Sequence, residues 1–366
     1  MSISKIDPNL AAIAVKAEDA IYINALDERF SLHGVFFEED TKFFTRVPTN
    51  IAKSISDNLL NLSRRCSGGR LRFVTDSPYV IVKAALPAFK PMPHMSILAS
   101  HGFSLYADGE FAGRFAPSFD DFECCFGAES YETEIIRFAE QRTIDGGVKE
   151  RVCELYFPLY GGVRNLFVGI KEGSVLKPAP EYNIKKPFVF YGSSITQGAA
   201  VTRPGNDYVS MLARMLSSDY VNLGFSGSGN CEDPIIDYML SIDATMYAYD
   251  YNLYDSRPHR ILPDHYELYK KIRNARPDSL ILLYDKPYAY RDTTIERRRA
   301  LIRNTYDRAR SEGDDKIFII DCYDLFGKED RDSCVVDGDH PSDLGAYRMA
   351  QSIYNVIGEA IKRQNS

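Results

Sequence analysis

Short apolar runs alternate with amphipathic stretches along the second half of the chain. The runs have the length of buried strands, and we predict strands at 188–191, 220–223, 245–249, 280–284 and 317–320. The stretches between them repeat apolar residues at helical spacing, and we predict helices at about 206–217, 232–241, 264–274, 294–311 and 342–362. This alternation predicts a three-layer α/β fold, with a parallel sheet covered by helices on both faces.

The first half has shorter strand-like runs and frequent turn residues. We predict strands at 71–73, 79–82, 103–106, 110–111, 132–138, 154–160 and 163–170. Asp108-Gly109 lies between two of them and is typical of a hairpin turn. Short strands with regular turns favour an antiparallel β-sandwich of jelly-roll type. One helix, from about Ile51 to Leu62, interrupts them, since its apolar residues share one face.

A proline-containing stretch separates the two halves. Residues 171–187 include Pro178, Pro180 and Pro187 and have no periodic apolar pattern, so we interpret them as a linker. The sequence therefore predicts two domains, a β-sandwich over residues 1–175 and an α/β domain over residues 185–366. A chain of 366 residues is long enough to form both cores.

Composition and charge argue against several classes of protein. A net charge of −7 gives no broad basic surface for nucleic acid. No apolar run approaches the roughly 20 residues that span a bilayer. The N-terminal segment Met1 to Leu10 lacks the apolar core of a secretory signal. Seven cysteines without scaffold-like spacing favour reduced thiols, and we expect a cytoplasmic protein.

A serine follows the first predicted strand of the α/β domain. The apolar run ends in Gly192-Ser193-Ser194, at a strand–turn–helix junction where α/β enzymes place nucleophiles. By itself, a serine at this position is more simply explained as a helix cap. Ser194 becomes a candidate nucleophile because a base and an acid with suitable spacing occur elsewhere in the chain.

An Asp-x-x-His segment, Asp337 to His340, precedes the last predicted helix. A serine hydroxyl is a weak nucleophile at neutral pH unless an imidazole accepts its proton, and a carboxylate on the other ring nitrogen fixes the imidazole tautomer. We therefore predict a triad of Ser194, His340 and Asp337, with activity falling at acid pH as His340 becomes protonated. Asp339 is interpreted as a solvated loop carboxylate or a charge at the helix N-terminus.

Two further segments offer hydrogen-bond donors for an oxyanion. Gly224–Gly229 is a glycine-rich loop after the second predicted strand, and Asn252 follows the third. Backbone N–H groups and an asparagine amide are donors suited to acyl transfer. Because the carboxyl ends of parallel strands meet at one edge of the sheet, we expect both donors to lie near Ser194.

These segments together resemble the conserved blocks of the SGNH, or GDSL, hydrolase superfamily over about residues 185–366. The resemblance implies a flavodoxin-like fold and a Ser-His-Asp site in which the backbone N–H of Ser194 is the first oxyanion donor. Gly227 is the best match to the glycine donor, with Gly224 as a nearby alternative, and Asn252 matches the asparagine donor. This chain departs from the family pattern at Ser193, where an aspartate is usual, and by lacking a glycine before Asn252.

A closer resemblance extends over the whole chain. Gly102-Phe103-Ser104-Leu105-Tyr106 is similar to the Gly-x-Asp-Leu-Tyr signature of a subgroup with an N-terminal sandwich, with Ser104 in place of the aspartate. Several two-domain relatives are carbohydrate O-acetyl esterases. The resemblance therefore implies a serine esterase that removes acetyl or other small acyl groups from a sugar or oligosaccharide, with no metal or organic cofactor.

The remaining expectations concern substrate contacts and alternative functions. Tyr251 and Tyr254 are candidates for stacking on a sugar, and core packing explains some of the alternating tyrosines in this region. Two other functions stay open: a lipid or thioester hydrolase with the same triad, and a non-catalytic carbohydrate-binding protein with a decayed site. We expect an acetylated sugar as the partner, no nucleic acid and no membrane, and the sequence is compatible with a homo-oligomer.

Overall fold

The structure is a computed structural model that describes residues 17–88, 91–116, 131–132, 136–138, 147–250, 265–287 and 295–364. The chain divides into two compact units. The first consists of Met1–Arg46, Arg64–Glu181 and Arg203–Gly205. The second consists of Val47–Ser63, Tyr182–Thr202 and Asn206–Ser366. The early segment of the second unit forms helices α1 (Thr49–Ile55) and α2 (Asp57–Ser63).

The first unit is built from antiparallel strands. Its described strands are β1 (Ala20–Asn24), β2 (Ser31–His33), β3 (Phe36–Glu38), β4 (Phe43–Thr45), β5 (Arg70–Thr75), β6 (Tyr79–Ala85), β7 (Phe103–Ala107), β8 (Glu110–Phe115), β9 (Tyr131–Glu132), β10 (Ile136–Arg137), β11 (Arg151–Tyr156), β12 (Asn165–Lys171) and β13 (Leu176–Lys177). One sheet has the order β1-β12-β6-β10, with β9 also on β6. The other has the order β13-β5-β11-β7-β8, with β2 also on β5. A short helix, α3 (Ile97–His101), precedes β7.

One apolar core joins these two sheets. Phe73 on β5 and Val168 on β12 are fully buried in it, as expected for the inward-facing positions of a sandwich. The ring of Phe157 packs edge to face against Phe44 and Phe103, with centroid distances of 5.4 and 5.7 Å. This architecture confirms the predicted antiparallel sandwich.

The second unit contains a parallel sheet with helices. Its strands are β14 (Ile184–Gly192), β15 (Ser218–Gly224), β16 (Met246–Tyr249), β17 (Leu280–Leu283) and β18 (Ile317–Ile319), in the spatial order β15-β14-β16-β17-β18. Its later described helices are α4 (Ser194–Gln197), α5 (Tyr208–Leu216), α6 (Asp233–Ser241), α7 (His265–Ala275), α8 (Ile295–Ser311) and α9 (Asp343–Gln364). This strand order is flavodoxin-like, and such sheets bind ligands at the carboxyl ends of their strands, where the order reverses beside β14.

The predicted α/β alternation is confirmed. Each strand and helix predicted for the second half is present, with ends that differ by a few residues. The hairpin predicted at Asp108-Gly109 also forms, between β7 and β8.

The single helix predicted from Ile51 to Leu62 is wrong in two respects. The chain breaks at Ser56, whose backbone is extended (φ −170°, ψ 158°) and whose Oγ accepts a hydrogen bond from the Leu59 N–H at 3.0 Å. That contact starts a new helix, α2. Both helices belong to the second unit, where Ala52 and Leu59 are buried in its core. The predicted first domain, residues 1–175, therefore includes a segment that the structure assigns elsewhere.

The predicted linker is shorter than residues 171–187. Strand β13 pairs with β5 at the linker's start, and β14 begins at Ile184, before Pro187. A proline is tolerated here because the pairing of β14 with β15 is irregular between Ile184 and Phe188.

A short segment from the second half of the chain belongs to the first unit. Arg203 donates a hydrogen bond to the Tyr106 hydroxyl at 2.8 Å, and its guanidinium lies 3.8 Å from the centroid of the Phe111 ring. Tyr106 is the last residue of the signature-like segment, so the structure gives that tyrosine a partner 97 residues away in sequence.

Within the described residues, no helix combines the length and the apolar character needed to cross a membrane.

Candidate active site

Two adjacent serines at the end of β14 have different roles. Ser193 is the N-cap of α4, and its side chain accepts a hydrogen bond from the Ile195 N–H at 3.2 Å. Ser193 therefore caps the helix, and capping does not explain the presence of Ser194. Gly192 precedes them because a Cβ at that position would lie 2.3 Å from the Thr196 hydroxyl oxygen. A side chain at position 192 would therefore clash within the turn.

The structure brings the three predicted triad residues together. The Ser194 Oγ lies 2.7 Å from the His340 Nε2, and the His340 Nδ1 lies 2.7 Å from the Asp337 Oδ2. Because a carboxylate only accepts hydrogen bonds, the Nδ1 carries the proton and the Nε2 of a neutral ring accepts from the serine. This is the arrangement in which an imidazole can remove the serine proton.

The acid of the triad is held in its ionised form by local hydrogen bonds. Partial burial acts to raise the pKa of Asp337, but hydrogen bonds from the His340 backbone and ring and from the Asp339 N–H outweigh it and lower the pKa to about 2. The backbone bonds measure 2.9 Å from the His340 N and 3.1 Å from the Asp339 N. Asp337 therefore stays negatively charged over the whole range in which imidazoles titrate.

The residues on either side of the loop that carries Asp337 and His340 are hydrogen-bonded to each other. The Val336 N–H donates to the His340 carbonyl at 2.9 Å, and the Ser342 N–H donates to the Cys334 carbonyl at 2.8 Å. These bonds hold the backbone on both sides of the loop just before α9 begins.

The glycine loop after β15 is tied to the nucleophile turn. The Phe225 N–H donates to the Gly192 carbonyl at 2.8 Å, and the Ser226 N–H donates to the Gln197 Oε1 at 3.0 Å. The Asn222 amide donates to the Thr196 carbonyl at 2.7 Å. The loop backbone is thereby fixed at the strand edge that carries Ser194.

The two glycines proposed as oxyanion donors have different surroundings. The Gly224 N–H already donates to the Asn222 Oδ1 at 2.9 Å, and a Cβ on Gly224 would lie 2.3 Å from the Gln197 backbone nitrogen. Gly227 occupies a left-handed turn position (φ 64°) with open space where a Cβ would be. The open surroundings favour Gly227 over Gly224 as the donor.

Asp339, predicted as a solvated loop carboxylate or a helix N-terminal charge, is partly exposed and also forms an ion pair. Its Oδ1 lies 2.8 Å from the Nζ of Lys286, which follows β17. Both side chains are partly exposed, so this pair contributes little to stability.

A buried carboxyl group lies behind the same strand ends. Asp250 directly follows β16, and burial, reinforced by the nearby charge of Asp285, raises its pKa well above the usual range. The Arg298 Nε lies 2.8 Å from the Asp285 Oδ2, so Asp285 has its own cationic partner. Burial therefore favours the neutral form of the Asp250 carboxyl group.

Three predicted site residues, Asn252, Tyr251 and Tyr254, lie outside the described residues. Their predicted roles as oxyanion donor and sugar contacts stay predictions.

The sequence analysis missed the residues that support the nucleophile turn. Gln197 and Asn222 both bond to backbone groups across it. Each is a polar residue beside an apolar strand or a motif. Buried amides in proteins are nearly always hydrogen-bonded. An amide in such a position is therefore the signal in the sequence that could have identified them.

Comparisons with known proteins relate both halves of the chain to known families. Residues 185–358 match the model of the GDSL-like lipase/acylhydrolase family. Residues 20–176 match the model of the N-terminal domain of SGNH-hydrolase-type esterases, named GxDLY. No curated protein matches the chain.

Several solved structures are similar over nearly the full chain. A GDSL-like lipase candidate from Bacteroides ovatus is 25% identical with a TM-score of 0.75, and the match covers 94% of this chain and 98% of that one. The salicylyl-acyltransferase SsfX3 of a tetracycline biosynthetic pathway is 18% identical with a TM-score of 0.73, over 94% and 98% of the two chains. An acetyl xylan esterase from the rumen bacterium Butyrivibrio proteoclasticus is 11% identical with a TM-score of 0.57, over 94% and 99%. The last two likenesses concern the fold alone.

Proposed function

Because this chain belongs to the SGNH/GDSL hydrolase superfamily and is a carboxylic ester hydrolase, we propose that it removes acetyl or other small acyl groups from carbohydrates through an acyl-enzyme on Ser194. The observation that carries the mechanism is the continuous hydrogen-bonded series from the Ser194 Oγ through His340 to Asp337, with both distances at 2.7 Å. Nucleophile, base and orienting acid are then in contact in the order that acyl transfer requires.

In the acylation step, the His340 Nε2 takes the proton of Ser194 as its Oγ attacks the ester carbonyl. Asp337 stabilises the imidazolium that forms, and its low pKa of about 2 keeps it charged while it does so. The imidazolium then returns its proton to the departing alcohol oxygen as the tetrahedral intermediate collapses. The products of this half-reaction are a free hydroxyl on the sugar and an acyl ester on Ser194.

The tetrahedral oxyanion needs donors fixed before the reaction begins. We assign these to the backbone N–H groups of Ser194 and Gly227, with the Asn252 side chain as a third donor on the strength of the family resemblance. The bonds between the glycine loop and the nucleophile turn support this assignment, because they hold the loop backbone in place. Removal of one such donor costs about 3 kcal/mol of transition-state stabilisation.

In the deacylation step, the His340 Nε2 accepts a proton from a water molecule that attacks the acyl carbonyl. The Ser194 Oγ leaves and takes that proton back, and the acid product is released. The same base therefore serves both half-reactions, from the same position.

The proposed substrate is an acetylated mono- or oligosaccharide. Its support is the fold shared with an acetyl xylan esterase and with a family two carbohydrate esterase from Clostridium thermocellum determined in complex with cellohexaose. One scaffold hosts many substrates, so the proposal depends on a measured preference.

Hydrolysis of p-nitrophenyl acetate, butyrate and octanoate tests the function. We expect fast cleavage of acetate, and we expect Ser194→Ala to lower kcat by at least about 10⁴-fold, because it removes the nucleophile. Ser193→Ala is the matched control, since it removes the adjacent hydroxyl and weakens only the cap of α4.

The outcomes of this assay separate the candidate functions. A preference for octanoate would replace the carbohydrate assignment with a lipid or thioester hydrolase. Turnover that Ser194→Ala leaves intact would remove the serine from the nucleophile role. Sugar binding without any turnover would favour the non-catalytic carbohydrate-binding protein.

A further inference from the structure

Asp343, the first residue of α9, binds a segment far away in sequence. Its carboxylate accepts hydrogen bonds from the Thr202 backbone N–H and the Asn206 amide, each at 2.8 Å, and from the Thr202 hydroxyl. These partners lie 141 and 137 residues earlier in the chain. They follow α4, the helix that begins with Ser194.

The contacts of Asp343 differ from those of a helix cap. Ser342 performs the capping, because its Oγ accepts from the Gly345 N–H at 3.3 Å. The carboxylate of Asp343 instead points to another segment of the second unit, and its hydrogen bonds to described residues are all to that segment. A side chain needed only for helix stability would have no reason to make three bonds across the fold.

These bonds close a ring that contains both the nucleophile and the base. From Ser194, the chain turns through α4, where the Ala199 N–H donates to the Ser194 carbonyl at 3.1 Å, and reaches Thr202. Thr202 binds Asp343, which stands three residues after His340, and the His340 ring returns to the Ser194 hydroxyl. The ring therefore has two non-covalent closures, one at Asp343 and one between serine and histidine.

Only one of these closures survives acylation. Once the Ser194 Oγ becomes an ester oxygen it has no proton to donate, so its hydrogen bond to the His340 Nε2 is lost. The Lys286–Asp339 ion pair also reaches the base loop, but its exposure makes it a weak tether. The contacts of Asp343 involve no reacting atom, so acylation of Ser194 does not remove a donor or acceptor from them.

We propose that Asp343 is a positioning residue that holds the His340 loop against the nucleophile segment in the acyl-enzyme, so that it matters more for deacylation than for acylation. The proposal rests on the acyl-enzyme mechanism of the proposed function. In acylation the serine itself holds the imidazole, whereas in deacylation the base must meet water without that contact. A displacement of a catalytic group by about 1 Å can cost up to about 100-fold in rate.

The test measures the two half-reactions separately with p-nitrophenyl acetate. Single-turnover release of p-nitrophenolate with enzyme in excess gives the acylation rate, and intact-mass measurement of the acetylated protein after rapid acid quench gives the deacylation rate. We expect Asp343→Ala to slow deacylation at least about tenfold and acylation less than about threefold, with acetyl-enzyme accumulating in the steady state. Thr202→Val, which removes only one partner, should show a smaller effect of the same kind, and the double variant should be no worse than Asp343→Ala.

Asp233→Ala is the matched control, because Asp233 is also the first residue of a helix, α6, but pairs with Lys271 at the surface. It should leave both rates unchanged. Equal losses in the two steps for Asp343→Ala, or no loss in either, would overturn the proposal while leaving the esterase assignment intact. If Asp343→Ala fails to fold, Asp343→Asn and Thr202→Val are compared by the same ratio of rates. Absence of any Ser194-dependent acetyl-enzyme in the wild type would overturn the proposed function and this inference with it.

Discussion

At the scale of single residues, the two neighbouring serines show how much one position changes the chemistry. Ser193 accepts a hydrogen bond within its own helix, and Ser194 contacts a histidine 146 residues away. Spacing in the sequence was enough to predict Ser194, Asp337 and His340, because they lie in short segments with a chemical pattern. Asp343 was not predicted, since its partners come together only when the sheet and its helices assemble.

The charge of Asp337 gives a prediction for pH dependence. Its pKa is about 2 in the folded protein and 3.8 in the absence of folding, so its ionised form stabilises the fold. That contribution is fully present above about pH 4 and is lost as the pH falls from 4 towards 2. We therefore expect the difference in unfolding free energy between the wild type and Asp337→Asn to shrink as the pH falls from about 4 towards 2.

Urea unfolding at several pH values measures this difference. Asp339→Asn is the control, because it removes the neighbouring carboxylate, which accepts from Lys286 instead of from the histidine. A difference that grows as the pH falls from about 4 towards 2 would contradict the hydrogen-bonded, ionised state of Asp337.

At the scale of elements, the break between α1 and α2 is a feature that hydrophobic periodicity does not predict. Ile51, Ile55, Leu59 and Leu62 share a face in one continuous helical pattern, and nothing in their spacing marks an interruption. The break comes from Ser56, whose side chain caps the second helix. Serine is tolerated inside helices and favoured at caps, so periodicity alone cannot distinguish the two positions.

Ser56 and Ser54 form a matched pair for testing this break. Both are exposed, but Ser56 caps α2 whereas the Ser54 hydroxyl bonds the Ile51 carbonyl within α1. We expect Ser56→Ala to lower the free energy of unfolding by about 1 kcal/mol. Ser54→Ala should be neutral or slightly stabilising, because alanine is the better helix former. Urea unfolding of both variants measures the difference, and equal effects would mean that Ser56 does not act as a cap.

Strand length limited the prediction in the first unit. Strands β2, β3 and β4 have only three residues each, and β13 has two, so no alternation develops within them. The longer runs at β5, β6 and β12 were predicted because they alternate or are wholly apolar over enough positions. What completes the sandwich is pairing between distant segments, which a single sequence does not display.

At the scale of the whole molecule, the two units do not correspond to two contiguous halves of the chain. Composition indicated two cores and the linker position indicated a single boundary, but residues 47–63 belong to the second unit. The sequence pattern of an amphipathic helix indicates that one face is buried, but it does not indicate which core buries that face. This is the physical reason that the predicted boundary was incomplete.

A fragment covering only residues 182–366 should therefore fold poorly. It lacks Val47, Ala52, Leu59 and Leu62, which are buried in the core beside Met239. Each buried leucine or valine contributes about 1.5–3 kcal/mol, so their loss removes much of the stability of a typical domain. We expect the fragment to bind the dye ANS strongly and to lack a cooperative urea transition.

The control is the same fragment with residues 47–63 joined to its N-terminus through a flexible linker. It should bind less dye and regain a cooperative transition. A fragment of residues 182–366 that is monomeric and cooperatively unfolding would show that α1 and α2 are dispensable to the second core.

The early position of α1 and α2 has a consequence for synthesis on the ribosome. Their apolar faces leave the exit tunnel when the strands and helices that cover them, such as α6 with Ile235 and Met239, have not yet been translated. At roughly 5–20 residues per second, the wait lasts on the order of 10–40 s. During that interval the nascent chain exposes an amphipathic segment with an uncovered apolar face, while the sandwich around it in the sequence is folding. We therefore expect this segment to bind chaperones that recognise emerging polypeptides.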